Sequence, residues 1–304
     1  MKLEVNKEVK EFPNSVCPEP LVSVIIQTYQ HAAFITECIE GVLKQRVNFN
    51  YEIIIGEDNS DDGTREICTE YAEKFPNLIR LFLHHRENVI FLNNAPSGRF
   101  NLLYILSKAN GKYIAFCEGD DYWTDTNKLQ KQVDFLETNP DYVGCFHNTE
   151  ERYQEGDRAS FLYCNYKKAQ SIGFKELSFS NRVPTCSIVF LKKYIENLPG
   201  WFYKMPMGDW ALHLFNTQYG DYWYIPHVMG VHRLTTSSVW ALQNHKNNVQ
   251  KVQCAYDQLI DGFSDIPKMV ACLKKGKKRF KLHHKYPMIA KINSYVKLFF
   301  KRVN

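Results

Sequence analysis

An α/β fold, with a mostly parallel sheet covered by helices on both faces, is the class this chain predicts. Two observations carry it. Short runs of consecutive apolar residues, too short for helices and not alternating with polar ones, recur through the first half, as expected of strands buried on both faces. Between them lie apolar stripes at i, i+4 and i+8, the spacing of amphipathic helices packed on a sheet.

In order, residues 1–20 are polar, contain Pro13, Pro18 and Pro20, and predict an irregular lead-in. Residues 22–26 form the first strand, and Phe34, Cys38 and Val42 with Ile35, Ile39 and Leu43 mark the first helix. A second strand over 53–55 is followed by a helix through Ile67, Tyr71 and Phe75, which Pro76 stops. A third strand over 79–83 leads through an irregular loop to a helix carrying Leu102, Leu103 and Leu106, ended by Asn110-Gly111. A fourth strand over 113–116, a helix marked by Leu129, Val133 and Leu136, and a fifth strand over 143–146 complete the alternation. Residues 149–172 lack periodicity and predict an excursion over the surface. Beyond them come a strand at 187–190, a helix through Trp210 and Leu214, short strands near 222–225 and 229–231, and a helical stretch from about 240 to 263.

At 304 residues and 44% hydrophobic content the chain can bury a substantial core. Its net charge of +5 hides an asymmetry: residues 274–304 hold 11 Lys and Arg and no acid, so the remainder sums to −6 (27 basic, 33 acidic). A mildly acidic body argues against nucleic-acid binding, which needs basic patches on the fold itself. Nine scattered cysteines, never spaced C-x-x-C, read as reduced and mostly buried. Residues 1–12 offer no apolar leader and no run of 18 apolar residues occurs, so the cytoplasm is the expected compartment.

Two acidic turns end two predicted strands. One holds Glu57, Asp58, Asp61 and Asp62; the other holds Glu118, Asp120 and Asp121. Ligands bind at the C-terminal edge of such sheets, and Mg²⁺ or Mn²⁺ prefers a few carboxylate oxygens plus substrate phosphates. A metal-diphosphate site follows. The bland alternative, a solvated turn capping the next helix, loses ground because two such turns share one edge. Asp62, just before Gly63-Thr64, is placed to cap a helix. Asp61 reads as structural or solvated, and Asp58 as the functional acid of its turn.

Several motifs in order resemble glycosyltransferase family 2, inverting enzymes of the GT-A fold. They are Val22-Ser23-Val24-Ile25-Ile26-Gln27-Thr28-Tyr29-Gln30, Glu57-Asp58-Asn59-Ser60-Asp61-Asp62-Gly63-Thr64 and Gly111-Lys112-Tyr113-Ile114-Ala115-Phe116-Cys117-Glu118-Gly119-Asp120-Asp121-Tyr122-Trp123, with later echoes at Val183-Pro184-Thr185-Cys186-Ser187 and Met207-Gly208-Asp209-Trp210. The resemblance implies nucleotide-sugar binding by Thr28, Tyr29, Asp58 and Glu118, and a metal element, Mn²⁺ or Mg²⁺, at Asp120 or Asp121. It also implies Asp209 as the base that deprotonates a glycan or lipid-linked acceptor; taken alone, Asp209 reads as a helix cap. His232 and Arg233 resemble a late basic element: His232 for the metal, Arg233 for a phosphate. The chain departs from the pattern at Gln27, Gln30, Glu57 and Glu118, the last two longer by a methylene than the usual Asp. The expected organisation is a lead-in (1–20), a nucleotide-sugar-binding half (21–150), an acceptor-side half of the same catalytic domain (151–240) and a helical segment with a basic tail (241–304). Assembly of a bacterial surface polysaccharide is the implied setting.

In the tail, Lys274-Lys275-Gly276-Lys277-Lys278-Arg279 precedes apolar residues such as Ile292, Val296 and Phe299 at near-helical spacing. One reading is a segment on an anionic membrane surface, with the enzyme peripheral on the inner face. The other is a solvated tail or a helix docked on the acidic body. Two rival functions stand beside sugar transfer. A sugar-nucleotide pyrophosphorylase needs a glycine-rich basic loop where Thr28-Tyr29-Gln30-His31 stands; an inactive nucleotide-sugar-binding protein has no need of Asp120, Asp121 and Asp209.

Overall fold

The computed structural model describes residues 3–92, 94–235 and 245–285. The chain begins with β1 (Lys10–Glu11), β2 (Val22–Thr28), α1 (Ile35–Leu43), β3 (Tyr51–Glu57), α2 (Thr64–Lys74) and β4 (Ile79–Leu83). A small hairpin of β5 (Ile90–Leu92) and β6 (Ala95–Ser97) precedes α3 (Arg99–Lys108), β7 (Tyr113–Phe116), β8 (Tyr122–Trp123) and α4 (Lys128–Thr138). Then follow β9 (Gly144–Tyr153), β10 (Phe161–Leu162), β11 (Gln170–Ile172), α5 (Phe174–Leu177), β12 (Val189–Leu191) and α6 (Gly208–Asn216). β13 (Tyr222–Leu234), α7 (His245–Gly262) and α8 (Pro267–Lys285) complete the described part.

One large sheet runs β1-β4-β3-β2-β7-β12-β9-β13-β11, with β8 and β10 attached off that path. β4, β3, β2 and β7 are parallel. From β2 the chain steps outward through β3 to β4, and α3 then carries it back to lay β7 on the other side of β2. A topological switch point results, and the crevice at its strand C-termini is where such sheets take ligands. Thr28, Glu57 and Glu118 stand at or just past those three ends. Strands buried on both faces divide their side chains between two cores. Val24, Ile26, Ile53 and Ile55 meet α1, α2 and α4 on one face; Ile25, Ile54 and Phe82 meet α3 and α6 on the other.

β12 lies antiparallel between β7 and β9, so the strands predicted over 113–116 and 143–146 are not neighbours. Two expectations are corrected. The two short strands near 222–231 are one strand, β13, whose register shifts between Ile225 and Val228 and again between Val228 and Gly230. Pro226 has no N–H to give the ladder, so a bulge is the form a strand takes there. The excursion over 149–172 is in part sheet: β9 continues to Tyr153 along β13, and β10 and β11 pair at its flanks. Its polar residues hide the strand from periodicity because several face the site rather than an apolar core.

The basic run at 274–279 lies in α8. Leu273 and Gly276 are buried, Lys277 pairs with Asp257, and the Tyr256 hydroxyl donates to the carbonyls of Ser178 and Phe179 at 3.1 and 3.0 Å. Docking on the body therefore holds for this part, while Lys274, Lys275, Lys278, Arg279 and Lys281 face outward. The apolar residues of the tail and the start of the stretch expected from 240 lie outside the described residues. Among the described residues no helix is long and apolar enough to cross a membrane.

Candidate active site

The acids at the end of β7 sit on a turn pressed against β2. A Cβ on Gly119 would come within 2.6 Å of Thr28 Oγ1 and 2.8 Å of His31 Nδ1, so only glycine lets the turn approach. The Asp121 N–H donates to the Glu118 carbonyl at 2.9 Å, which closes the turn. Glu118 leaves Oε2 buried with no hydrogen-bond partner, and burial, then Asp121 and Asp120, push its carboxyl well above the usual range. Burial and Asp120 raise Asp121 to about 7 against the pull of His232. Three carboxyls are crowded here, one with an orphaned oxygen, and the charge of Asp120 raises the other two.

Part of that charge is met by β13. The Arg233 N–H donates to Asp121 Oδ1 at 2.9 Å, and its guanidinium donates to the Asp120 carbonyl at 2.8 Å. The same guanidinium pairs with Glu37 of α1, with Tyr122 and Phe34 rings at 4.3 and 5.1 Å. Arg233 is thus buried and braces the acid turn against α1. His232 Nδ1 donates to Glu151 Oε2 at 2.6 Å. Burial alone would lower the His232 pKa, but Asp121, Glu151 and Asp120 outweigh it and raise it to about 10. No bond among the described residues engages the Asp120 carboxylate, which is half-buried.

The acids of the first turn divide differently. Glu57 is buried, pairs with Arg65 and accepts from the N–H groups of Asn59 and Ser60 at 3.2 and 2.7 Å, so it builds the loop. Asp62 accepts from Ala32 N–H and Thr64 N–H at 3.0 Å each, as a cap and a stitch between turns. Asp61 is exposed and accepts from Gln30. Asp58 remains, buried, with Arg86 Nη1 at 2.6 Å. Burial raises it to about 6, partly offset by Arg86. The Arg86 guanidinium lies 4.3 Å from the ring centroid of Tyr29, which is 41% exposed. A flat aromatic face beside a carboxylate and a guanidinium can stack a base and read its edge. Gln30 and Asn59 take left-handed backbone at the ends of β2 and β3, the strained positions that cluster at binding sites.

Asp209 sits in the first turn of α6, two residues past the N-cap position held by Met207. Burial raises its pKa, opposed first by the Trp210 backbone N–H and then by Arg99. Asn181 Nδ2 donates to Asp209 Oδ2 at 2.7 Å. The Asn181 side-chain oxygen in turn accepts from Val183 N–H at 3.2 Å, so the orienting amide is itself held. The His232 charge acts on Asp209, so Asp209 lies within electrostatic reach of the strand that holds the acid turn. Cys186 is fully buried, its thiol pushed up by burial and the acids, as suits a core residue.

The expected metal trio of Asp120, Asp121 and His232 is not a closed cage. Among the described residues no three His, Cys, Asp or Glu side chains are arranged to hold an ion alone. The reason is visible: one Asp121 oxygen serves Arg233 and one His232 nitrogen serves Glu151. Arg86, Glu151, Asn181 and Glu37 were missed in the sequence. Arg86 had a faint signal, a cation just past a strand end, whereas the other three lie outside every motif.

The Glycosyl transferase family 2 profile matches residues 23–198. An uncharacterized protein of Mycobacterium tuberculosis is 33% identical over 221 residues, covering 72% of this chain and 60% of the relative. A Bacillus subtilis glycosyltransferase assigned to teichuronic acid biosynthesis, TuaG, is 33% identical over 118 residues, 39% of this chain and 42% of its own. The chain thus spans about three fifths of the mycobacterial relative's length and less of the Bacillus one. Staphylococcus aureus TarS 1–349 in complex with UDP-GlcNAc superposes with TM-score 0.57 at 15% identity, covering 87% of this chain and 74% of that 1–349 chain. A Pyrobaculum calidifontis mannosyltransferase in complex with GDP-Man and Mn²⁺ gives TM-score 0.56 at 16% identity, covering 96% and 84%. The fold is the GT-A glycosyltransferase fold. This chain belongs to glycosyltransferase family 2.

Proposed function

We propose that the protein transfers a sugar from a nucleotide-sugar, UDP-linked first among candidates, to a glycan or lipid-linked acceptor, with inversion and with Mn²⁺ or Mg²⁺. The observation that carries this is the crowded acid turn, Glu118 to Asp121, at the switch point, with Asp209 oriented by Asn181. Uncompensated carboxyls suit a divalent cation, and the lack of a closed cage suits Mg²⁺ or Mn²⁺, whose coordination substrate phosphates complete. Solved relatives in complex with UDP-GlcNAc, and with GDP-Man and Mn²⁺, support the same reading.

Asp120, whose carboxylate is free, would be the chief protein ligand, with Asp121 and His232 adjoining. The cation, when bound, compensates the charge gathering on the departing diphosphate. Tyr29 stacks the base, and Asp58 with Arg86 pairs with its polar edge; Thr28 fixes the floor of the site. Asp209 takes the proton of the acceptor hydroxyl as its oxygen bonds to the anomeric carbon and the bond from that carbon to the diphosphate breaks. Asn181 holds Oδ2, which leaves Oδ1 for that proton. The pyrophosphorylase alternative lacks support, since residues 28–32 fold as a turn bonded to the first acidic turn and the start of α2, not as a basic phosphate cradle.

Assembly of a bacterial surface glycan, on the cytoplasmic side, fits the Bacillus relative assigned to teichuronic acid. The outward basic face of α8 suits an anionic membrane surface there. The test is release of nucleoside diphosphate from a panel of UDP-, GDP- and dTDP-sugars, with and without Mn²⁺. Metal-dependent release from one donor, lost in Asp120→Ala, is expected. Saturable nucleotide binding with no release from any donor, even with membrane extract as acceptor source, would favour the inactive binding protein.

A further inference from the structure

We propose that Glu151, a β9 residue outside every motif that led to the site, is a positioning residue: its carboxylate fixes the His232 ring so that Nε2 faces the diphosphate and its cation. The proposal rests on the reading that the Asp120 end receives the diphosphate.

Glu151 is 3% exposed, an unusual place for a carboxylate. Both oxygens are engaged there: Oε2 accepts from His232 Nδ1 at 2.6 Å and Oε1 from the Thr149 hydroxyl at 3.0 Å. The parallel ladder between β9 and β13 sets Glu151 directly opposite His232, so the contact is fixed by backbone register. The next residue along β13, Arg233, gives its N–H to Asp121. The strand bearing His232 is therefore pinned to the acid turn on one side and to Glu151 on the other. With Nδ1 engaged, Nε2 is the ring nitrogen left, and its side chain is 34% exposed while Glu151 is 4%.

A carboxylate on one nitrogen of a histidine sets the tautomer and ring orientation for a metal or phosphate at the other nitrogen. A role confined to stability is poorly served by such a pair, because apolar residues of similar volume do as well or better. The arrangement also explains why the trio of Asp120, Asp121 and His232 is open. His232 is held ready at one wall, and the donor's phosphates supply the missing oxygens.

The test measures Mn²⁺ affinity by electron paramagnetic resonance at saturating UDP, with melting temperature followed in parallel. The variants are Glu151→Ala, Glu151→Gln, His232→Ala and the Glu151→Ala/His232→Ala double. Glu151→Ala and His232→Ala are each expected to weaken Mn²⁺ binding by about 10- to 100-fold, with the double variant no worse than either single. Glu151→Gln keeps the volume and one acceptor, so it folds and loses less. A purely structural role would lower the melting temperature and leave Mn²⁺ affinity within twofold of wild type, which overturns the proposal. Additive losses in the double variant overturn it too. If Asp120→Ala loses Mn²⁺ while both Glu151 variants retain it, the metal reading stands and this inference falls. If wild type shows no Mn²⁺-dependent UDP binding, the functional reading falls and this inference with it.

Discussion

Asp209→Asn isolates the proton-transfer role from everything else Asp209 does. Asn181 Nδ2 donates to Asp209 Oδ2 at 2.7 Å, and the asparagine carbonyl oxygen can accept the same bond. Shape and orientation persist, but the group facing the acceptor becomes an amide that takes no proton. Loss of a positioned base costs about 10²- to 10⁴-fold in rate, or about 3 to 5 kcal/mol in barrier. Donor KM is expected to be unchanged, because among the described residues neither Asp58 nor Asp120 is a partner of Asp209. Burial raises the Asp209 pKa, and the base works deprotonated. Activity should therefore fall as pH drops through that raised value, on an acid limb that starts higher than for an exposed aspartate, and the variant should lack the limb. Stability is not expected to suffer, since the change removes a charge that burial penalises. The assay is donor hydrolysis by wild type and variant across pH. Retention of more than a tenth of the wild-type rate, with the acid limb intact, would refute Asp209 as the base.

Other outcomes follow from the same geometry. Asp58, raised to about 6, accepts from a base N–H more strongly when ionised, so uridine binding should weaken as pH falls through about 6 and become flat in Asp58→Asn, by calorimetry. Uridine is the probe because it has no phosphate to titrate. Asn181→Ala should lower kcat by about tenfold without moving donor KM, in line with one lost hydrogen bond to a charged group; an unchanged kcat would show that Asp209 needs no such partner. Lys128 is fully buried over the Trp123 ring at 3.9 Å, with no hydrogen-bond partner for Nζ among the described residues, and burial lowers it from 10.5 to about 8. Its unfolded form binds more protons between those values, so stability should rise with pH across that window. Lys128→Met should raise stability at pH 7 by up to about 3 kcal/mol, measured by chemical denaturation, and a loss of stability would reveal a role for the ammonium.

The strands and helices of the first half were legible because buried parallel strands are apolar on both faces and their helices carry one apolar stripe. Val24 and Ile25 point to opposite cores, and both read as apolar. β9 and β13 were only half legible. Past Phe146 the strand carries His147, Asn148, Thr149 and Glu151, which are buried and polar; Asn148, Thr149 and Glu151 are held by hydrogen bonds, and His147 by Nδ1 alone. Period-two hydrophobicity cannot register such residues. The order β7-β12-β9 was hidden because β12 joins across more than forty residues, and local pattern says nothing about which strand fills a gap. In the site, Asp58, Asp120 and Asp209 were visible as carboxylates in motifs. The residues that orient them, Arg86, Arg233 and Asn181, act through contacts that only the fold brings together. Arg233 shows the difference most clearly: its contacts to Glu37 and the Asp120 carbonyl join residues far apart in the sequence.

Diffraction from crystals of the protein soaked with UDP and Mn²⁺, collected at the manganese edge, tests the central claim most directly. The account predicts one strong anomalous peak against the Asp120 carboxylate, bridged to the diphosphate, with uracil on Tyr29 and its edge toward Asp58 and Arg86. A nucleotide bound elsewhere, or uracil on Tyr29 with no manganese at Asp120, would contradict it.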